Sequence, residues 1–472
     1  MLGWPAAAAP QPIGFHGAAP VAVDEGAPFV LPPEAHAMVV GPTGCGKGVS
    51  SIVPALLSHQ GPAVVIDPKG EAVAITRRAR EAMGQRVIVL DPMRVTNGHS
   101  DAFNPLESID PGAVDAVDEA AALLQTLAGP QAGLGREPFW ILRAQHLLVG
   151  ATLLVREQGE SGDRSLCGVR RLIDTAAADP KALARRLASS SHPEAQQVAN
   201  VLEVAADVTV GGIISVAQSM LEFLRGDQVA ASVSRSTFDP DAITRGDPVT
   251  VYLVLPPHML ESHGRLLRLW LAAMMGCIVR RRARPAQATL MLLDECAALG
   301  ELPQLRQALT LLRGYGLQTI TYWQDLSQLR QVYPQDWQSM VNNCRVLQFF
   351  GAPNLAAARE ISDVVGGVDA EALLKLPQGQ VLLQLAGQLP VLARAPDYRR
   401  DAMYATRFDA NPYHLKDAAI SPAAAARRPV RRAPPARQRC AETDGPLPCP
   451  GMGAILAEVL REPADQAYTN SV

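Results

Sequence analysis

Apolar residues in this chain fall into short unbroken runs separated by stretches of helical spacing. Met38 to Val40, Ala63-Val-Val-Ile-Asp67 and Arg86-Val-Ile-Val-Leu-Asp91 are the first such runs. A run without polar alternation predicts a strand buried on both faces, as in a parallel sheet. The segments Val49 to Leu57 and Ala72 to Met83 between them predict helices. The pattern returns later as Thr250 to Leu255, Thr289 to Glu295, Gln318 to Tyr322, Arg345 to Phe350 and Gln380 to Gln384. Leu266 to Arg284, Pro303 to Arg313 and Leu355 to Val364 fill the gaps with predicted helices. Strand and helix in alternation predict a doubly wound α/β sheet.

Between the two groups of strands the character changes. Ala, Leu, Glu and Gln dominate, β-branched runs are few, and apolar positions recur at helical spacing, as in Ile141, Leu142, Leu148 and Val149. The expected organisation is an irregular, proline-rich lead-in over 1–35 and an α/β unit assembled from 36–106 and 236–412. An all-helical insertion occupies 107–235, and a low-complexity tail 413–472. Residues 427–439 of that tail hold six arginines, three prolines and no acid, a composition that favours disorder.

Composition narrows the class. At 472 residues with 48% apolar and 19% charged positions, the chain can bury a large core. A formal charge of −3 argues against a surface coated for nucleic acid, while leaving room for a local basic pore or tail. Seven scattered cysteines with no C-x-x-C pair read as reduced thiols. No apolar stretch reaches the roughly 18 residues of a membrane span, and the opening residues lack a basic signal-peptide start. A cytoplasmic protein is expected, peripheral at an inner membrane only through partners.

The first strand leads into Gly41-Pro-Thr-Gly-Cys-Gly-Lys-Gly48. Glycines before a lysine, between strand and helix, make a phosphate-binding loop. Successive backbone N–H groups of Gly41, Pro42, Thr43, Gly44, Cys45, Gly46, Lys47, Gly48 and Val49 (Pro42 excepted) can turn around an anion at a helix N-terminus, and Lys47 adds a mobile cation. Gly48 stands where Ser or Thr usually helps hold Mg²⁺, and Ser50 and Ser51 are out of register. Either other groups and water hold the ion, or hydrolysis is poor.

The run Leu290 to Leu293 ends in Asp294 and Glu295. Two carboxylates at the strand's end suit a metal ligand, Asp294, and a base for water, Glu295; the plainer reading is a solvated strand end. Gln324 follows the next strand and could reach a γ-phosphate or the water, or be a surface amide. Asp325 reads as a helix cap. Lys69 and Glu71, in Asp67-Pro-Lys-Gly-Glu71, are either functional or parts of a turn. Arg313 lies at a helix end before a strand, either as a surface charge there or as a cation offered to a neighbouring subunit's nucleotide.

Together these stretches resemble the TraG/TraD-type coupling proteins of conjugation and type IV secretion, relatives of the FtsK/HerA DNA pumps. Asn104-Pro-Leu106, Ser236-Thr-Phe-Asp239, Leu293 to Gly300, Arg313-Gly-Tyr-Gly-Leu317 and Gln324 to Leu329 complete the set, which covers roughly residues 36 to 400. The resemblance implies a RecA-like ATPase with an all-helical insertion, using ATP and Mg²⁺. It implies a homo-hexameric ring that delivers single- or double-stranded DNA, a relaxase or an effector protein to the channel components of a secretion system. It also implies that glycine is tolerated at position 48 and that Arg313 is an arginine finger. Typical members begin with transmembrane helices, which this sequence does not show. Two other readings stay open: a cargo-recruiting adaptor that binds ATP with little turnover, and a DNA pump independent of secretion, for which Arg280 to Arg284 and the arginine tail would matter.

Overall fold

The apolar runs do become the strands of one sheet. The computed structural model describes residues 1–5, 28–33, 35–96, 98–128, 138–160 and 162–413, so the arginine-rich stretch lies outside the described residues. In chain order the strands are β1 (Trp4–Pro5), β2 (Ala37–Val40), β3 (Ala63–Ile66), β4 (Arg86–Leu90), β5 (Val249–Leu253) and β6 (Thr289–Leu293). β7 (Leu317–Trp323), β8 (Val346–Phe349), β9 (Gln380–Leu385) and β10 (Val391–Arg394) follow. Their order across the sheet is β1-β10-β9-β8-β2-β7-β6-β3-β5-β4. The seven strands from β8 to β4 run parallel, and β9, β10 and β1 add an antiparallel edge.

Alternate residues of the parallel strands feed different cores, which is why most of the runs are nearly free of polar residues; β7 is the exception, with Gln318, Thr319 and Thr321 buried. In β2, Ala37 and Val39 join the cluster holding Ile52, Leu56, Ala72 and Val73 from the helices after β2 and β3. Met38 and Val40 point the other way, into a cluster that continues through the helices between β4 and β5. The second cluster also holds the long helix before β6.

The helices are α1 (Val53–Ser58), α2 (Glu71–Ala82), α3 (Ala116–Gln125), α4 (Pro138–Gln158), α5 (Leu166–Ala176) and α6 (Pro180–Ala188). Next come α7 (Pro193–Val204), α8 (Asp207–Met220), α9 (Asp227–Ser234), α10 (Asp241–Arg245), α11 (Leu260–Val279), α12 (Cys296–Leu299) and α13 (Pro303–Leu311), then α14 (Leu326–Val332), α15 (Trp337–Asn343), α16 (Leu355–Val365) and α17 (Ala370–Leu374). Between β4 and β5 the described chain contains helices and no strand. The start of this stretch is tied to α11, where the Trp270 indole donates to the carbonyl of Phe103 (3.0 Å).

Three local expectations change. The lead-in is not wholly irregular: Trp4–Pro5 pairs with β10, and Gly3 bridges Phe29. A two-residue strand ending in proline leaves no periodicity to read. The helix expected to run to Arg284 stops at Val279. There Arg281 turns inward to bond backbone carbonyls, and Arg280 pairs with Glu119 (2.9 Å). The run Arg280 to Arg284 is therefore not a continuous basic face. Finally, the helix after the glycine loop opens with a wide π turn, Gly48–Ile52, in which the Val53 N–H reaches the Gly48 carbonyl. Pro54 has no N–H to continue an ordinary ladder at this point.

Candidate functional site

The phosphate-loop residues sit where β2 ends, between β7 and β8, a crevice at the carboxyl edge of a parallel sheet. Gly41 is anchored there by donating to the Trp323 carbonyl (3.0 Å). A Cβ at Gly41 would lie 2.7 Å from both Cys45 Sγ and Phe350 Cβ, so only glycine fits. Gly44 and Gly46 have φ of +81° and +99°, the left-handed region that favours glycine. Nothing lies within 4 Å of a Cβ built at Gly44 or Gly48, so the side-chain side of the loop is open at these two positions. Thr43, Gly44 and Gly48 are exposed, and Pro42, Cys45, Gly46, Lys47 and Val49 half-buried. The Lys47 ammonium donates to the carbonyls of Gly41 and Pro42 (3.3 Å to the latter), folded back over its own loop.

Because β6 is separated from β2 by β7 alone, its end opens onto the same edge. Burial pushes the Asp294 carboxyl up to about 6; Glu295 adds to the rise, while Lys47 and then Lys69 oppose it. That opposition places both lysines within electrostatic reach of Asp294. Glu295 has φ +53°, a strained conformation for a non-glycine residue. Its backbone N–H donates to Asp294 Oδ1 (3.1 Å), and its Oε2 accepts from the Gln324 amide (3.1 Å). Gln324 is fixed in turn through its own N–H to Gln328 Oε1 (3.0 Å). Asp325 caps the next helix through the Gln328 N–H (2.9 Å), as expected.

Asp67 was not singled out from sequence. The pairing of Ile66 with Leu293 puts it level with Asp294 on the neighbouring strand. It is buried, accepts from the Val73 N–H (2.8 Å) at the start of α2, and burial lifts its carboxyl to about 7. Lys69 is exposed beside it, and Glu71 begins α2. A cleft of about 920 Å³ lined by Pro68, Lys69, Glu71, Pro256 and His258 continues along the same edge. A second cleft, about 1020 Å³ and lined by Asp118, Glu119, Asp241 and Arg280, lies away from the loop.

Arg313 is not part of this cluster. It is exposed on a 3₁₀ turn, Leu312–Tyr315, just before β7 begins. That is the opposite edge of the sheet from Lys47, Asp294, Glu295 and Gln324. Its guanidinium makes no hydrogen bond or ion pair with another described residue.

These residues fit a nucleoside triphosphate with a divalent cation. The open glycine cradle and Lys47 suit phosphates, and Asp294 supplies a carboxylate for the ion. Gly48 offers no hydroxyl, and the Ser51 hydroxyl is already bonded to Tyr322 (2.9 Å).

Comparison with known proteins identifies a family and a fold. The family described as "Type IV secretory system Conjugative DNA transfer" matches residues 13–372. The conjugal transfer protein TraG of Escherichia coli is 30% identical over 355 residues, covering 70% of this chain and 55% of TraG. Protein VirD4 of Agrobacterium fabrum is 29% identical over 343 residues, covering 70% of this chain and 49% of VirD4. The chain thus spans about half the length of these relatives. Among solved structures, the conjugative coupling protein TrwB in an unbound form superposes with a TM-score of 0.62 at 17% identity, covering 80% of this chain and 87% of that one. TrwB in complex with the ATP analogue ADPNP gives 0.60 at 18% identity, with 79% and 88% covered. The fold is therefore the RecA-like fold of that protein, as expected from sequence. Among the described residues no helix is long and apolar enough to cross a membrane.

Proposed function

This chain belongs to the type IV secretory system conjugative DNA-transfer family, and from that premise we propose that it is an ATP-hydrolysing coupling protein. In this reading it uses ATP turnover to recruit DNA, a relaxase or an effector protein and pass it to a type IV secretion channel. The observation that carries the reading is the convergence, on one sheet edge, of Lys47 in its glycine cradle with Asp294, Glu295 and Gln324. Complexes of the similarly folded TrwB with ADPNP, and with ADP and Mg²⁺, support ATP and Mg²⁺ as ligands.

The roles follow from chemistry. The loop amides and Lys47 bind the phosphates, Lys47 leaving its internal carbonyl partners to do so. Asp294 and water would hold Mg²⁺, which would neutralise phosphate charge. Glu295 accepts a proton from the attacking water, and its strained backbone aims the carboxylate. Gln324 orients Glu295 and lies where it can also meet the γ-phosphate. Arg313, on the far edge, serves the site of a neighbouring copy, where it stabilises charge on the transferring phosphoryl group. The ring is a homo-hexamer, and its place of work is the cytoplasmic side of the secretion channel. Residues 36–106 and 236–412 act as the motor and 107–235 as an insertion domain.

Turnover of ATP by the purified chain tests this, with and without DNA. Glu295→Gln should lower kcat by about 10²- to 10⁴-fold with nucleotide still bound; Lys47→Ala should lose binding. Equal turnover in both variants and the parent would overturn the motor reading. Bound nucleotide with negligible turnover even in the parent, which Gly48 makes worth measuring, would favour the adaptor. Arg313→Ala should cost about 10³- to 10⁵-fold, and mixing it with Lys47→Ala subunits should restore part of the rate. Deleting residues after Ser421 should flatten the salt dependence of DNA binding if the arginine tail contacts phosphates.

A further inference from the structure

The turn that carries Arg313 is held by a second arginine that no motif announces. Arg281, just past the end of α11, is 7% exposed. All five of its N–H donors are used. Nε donates to the Thr244 carbonyl (3.2 Å), and one terminal nitrogen donates to the carbonyls of Tyr315 (3.0 Å) and Gly316 (3.4 Å). The other donates to the Ile243 carbonyl (2.8 Å) and to Thr289 Oγ1 (2.7 Å). No carboxylate is among these partners. Burial lowers its pKa to about 10, which leaves it charged at neutral pH.

A buried cation without an acid is costly to keep unless dipoles converge on it. Here the dipoles come from three separate pieces of chain. Ile243 and Thr244 belong to α10, Thr289 is the first residue of β6, and Tyr315 and Gly316 close the Arg313 turn. β6 runs from this clamp to Asp294 and Glu295, and β7 runs from Gly316 to Gln324. The turn is also seated sterically. Gly316 has φ +75°, and a Cβ there would lie 2.9 Å from Pro285 Cδ, while its carbonyl accepts from the Thr289 N–H (2.8 Å). The backbone under Arg313 is thus fixed while its side chain stays free.

We propose that Arg281 is a positioning residue for Arg313: by clamping the Tyr315 and Gly316 carbonyls to the start of β6, it aims the Arg313 guanidinium at the nucleotide held by a second copy of the chain. This rests on the reading above that Arg313 acts on a neighbour. A lysine cannot replace it, because an ammonium lacks the planar fork that reaches five acceptors at once.

The test is subunit mixing, with ATP turnover and binding of a fluorescent ATP analogue as readouts. Arg281→Lys alone should turn over about 10- to 100-fold more slowly, the cost of misplacing a catalytic group by about 1 Å, with analogue affinity unchanged. Mixed with Lys47→Ala subunits, which retain a well-placed Arg313, it should recover turnover. Mixed with Arg313→Ala subunits it should not. Failure of Lys47→Ala to rescue it, while Lys47→Ala still rescues Arg313→Ala, would overturn the positioning role alone. If Lys47→Ala rescues neither, the trans-acting reading of Arg313 falls, and this inference with it. Thr289→Val removes a single acceptor, so it guards against a misfolded Arg281→Lys. It should show the same partition at smaller size, and loss of analogue binding instead would overturn the proposal.

Discussion

A single histidine shows how much of the sheet's support is invisible to motif reading. His36, 2% exposed, precedes β2, and its Nδ1 accepts the Thr319 N–H (3.1 Å). The ring proton of the neutral form therefore sits on Nε2, which is buried without a partner among the described residues. Burial, and then the nearby Arg313, lower its pKa to about 4 from 6.5. Between those values the unfolded chain binds more protons than the folded one, so stability rises with pH through this window and is lost as pH falls. His59, also lowered to about 4 by burial, contributes in the same sense. His36→Asn keeps an acceptor oxygen without a titration, and should flatten the fall in urea midpoint between pH 6.5 and 4.5 without abolishing it. An unchanged slope would show that His36 is not protonated on unfolding. Lys47, Asp294, Glu295 and Gln324 were legible because each sits in a run whose spacing has a chemical meaning. The parts of His36, Asp67 and Arg281 were not, because each depends on where other elements bring their ends: Thr319 beside His36, Asp294 beside Asp67, and Ile243, Thr289 and Gly316 around Arg281.

At the scale of elements, strands were easier to read than their ends. Runs rich in apolar or β-branched residues marked β2 to β9 to within a residue or two, since burial on both faces of most of them removes the polar positions that blur a boundary. β10 was missed: it has four residues, follows Pro390 and ends in Arg394, whose guanidinium stacks over Trp4 (4.0 Å to the ring centroid). The π turn after the loop was also unreadable, because Pro54 suits the first turn of a helix and gives no hint of a wider one. Within the loop the structure separates glycines that look alike in sequence. Gly41→Ala would force a methyl group to 2.7 Å from Cys45 Sγ and Phe350 Cβ, and overpacking of this kind costs about 1–3 kcal/mol. Gly48→Ala meets nothing within 4 Å and should be neutral or stabilising by about 0.5–1 kcal/mol at a helix start. Thermal melts of the two variants decide this, and a larger loss for Gly48→Ala would contradict the packing described.

For the whole molecule, the role proposed for Arg313 requires a second copy of the chain. Lys47, Asp294, Glu295 and Gln324 occupy one edge and Arg313 the other, with β7 spanning the seven residues between them. No local rearrangement brings the two edges together without dismantling a strand buried along its whole length. A contact in which one copy's Arg313 edge meets the next copy's Lys47 edge is heterologous, and such contacts close into rings or run into filaments. Turnover per chain should then rise with protein concentration and level off once assembly is complete. Arg313→Ala should stay low across the same dilution series, because assembly supplies it with nothing new. A parent rate per chain independent of concentration, from a species shown by sedimentation to be a monomer throughout, would mean that the site is complete within one chain. Arg313 would then be a surface charge on a well-made turn.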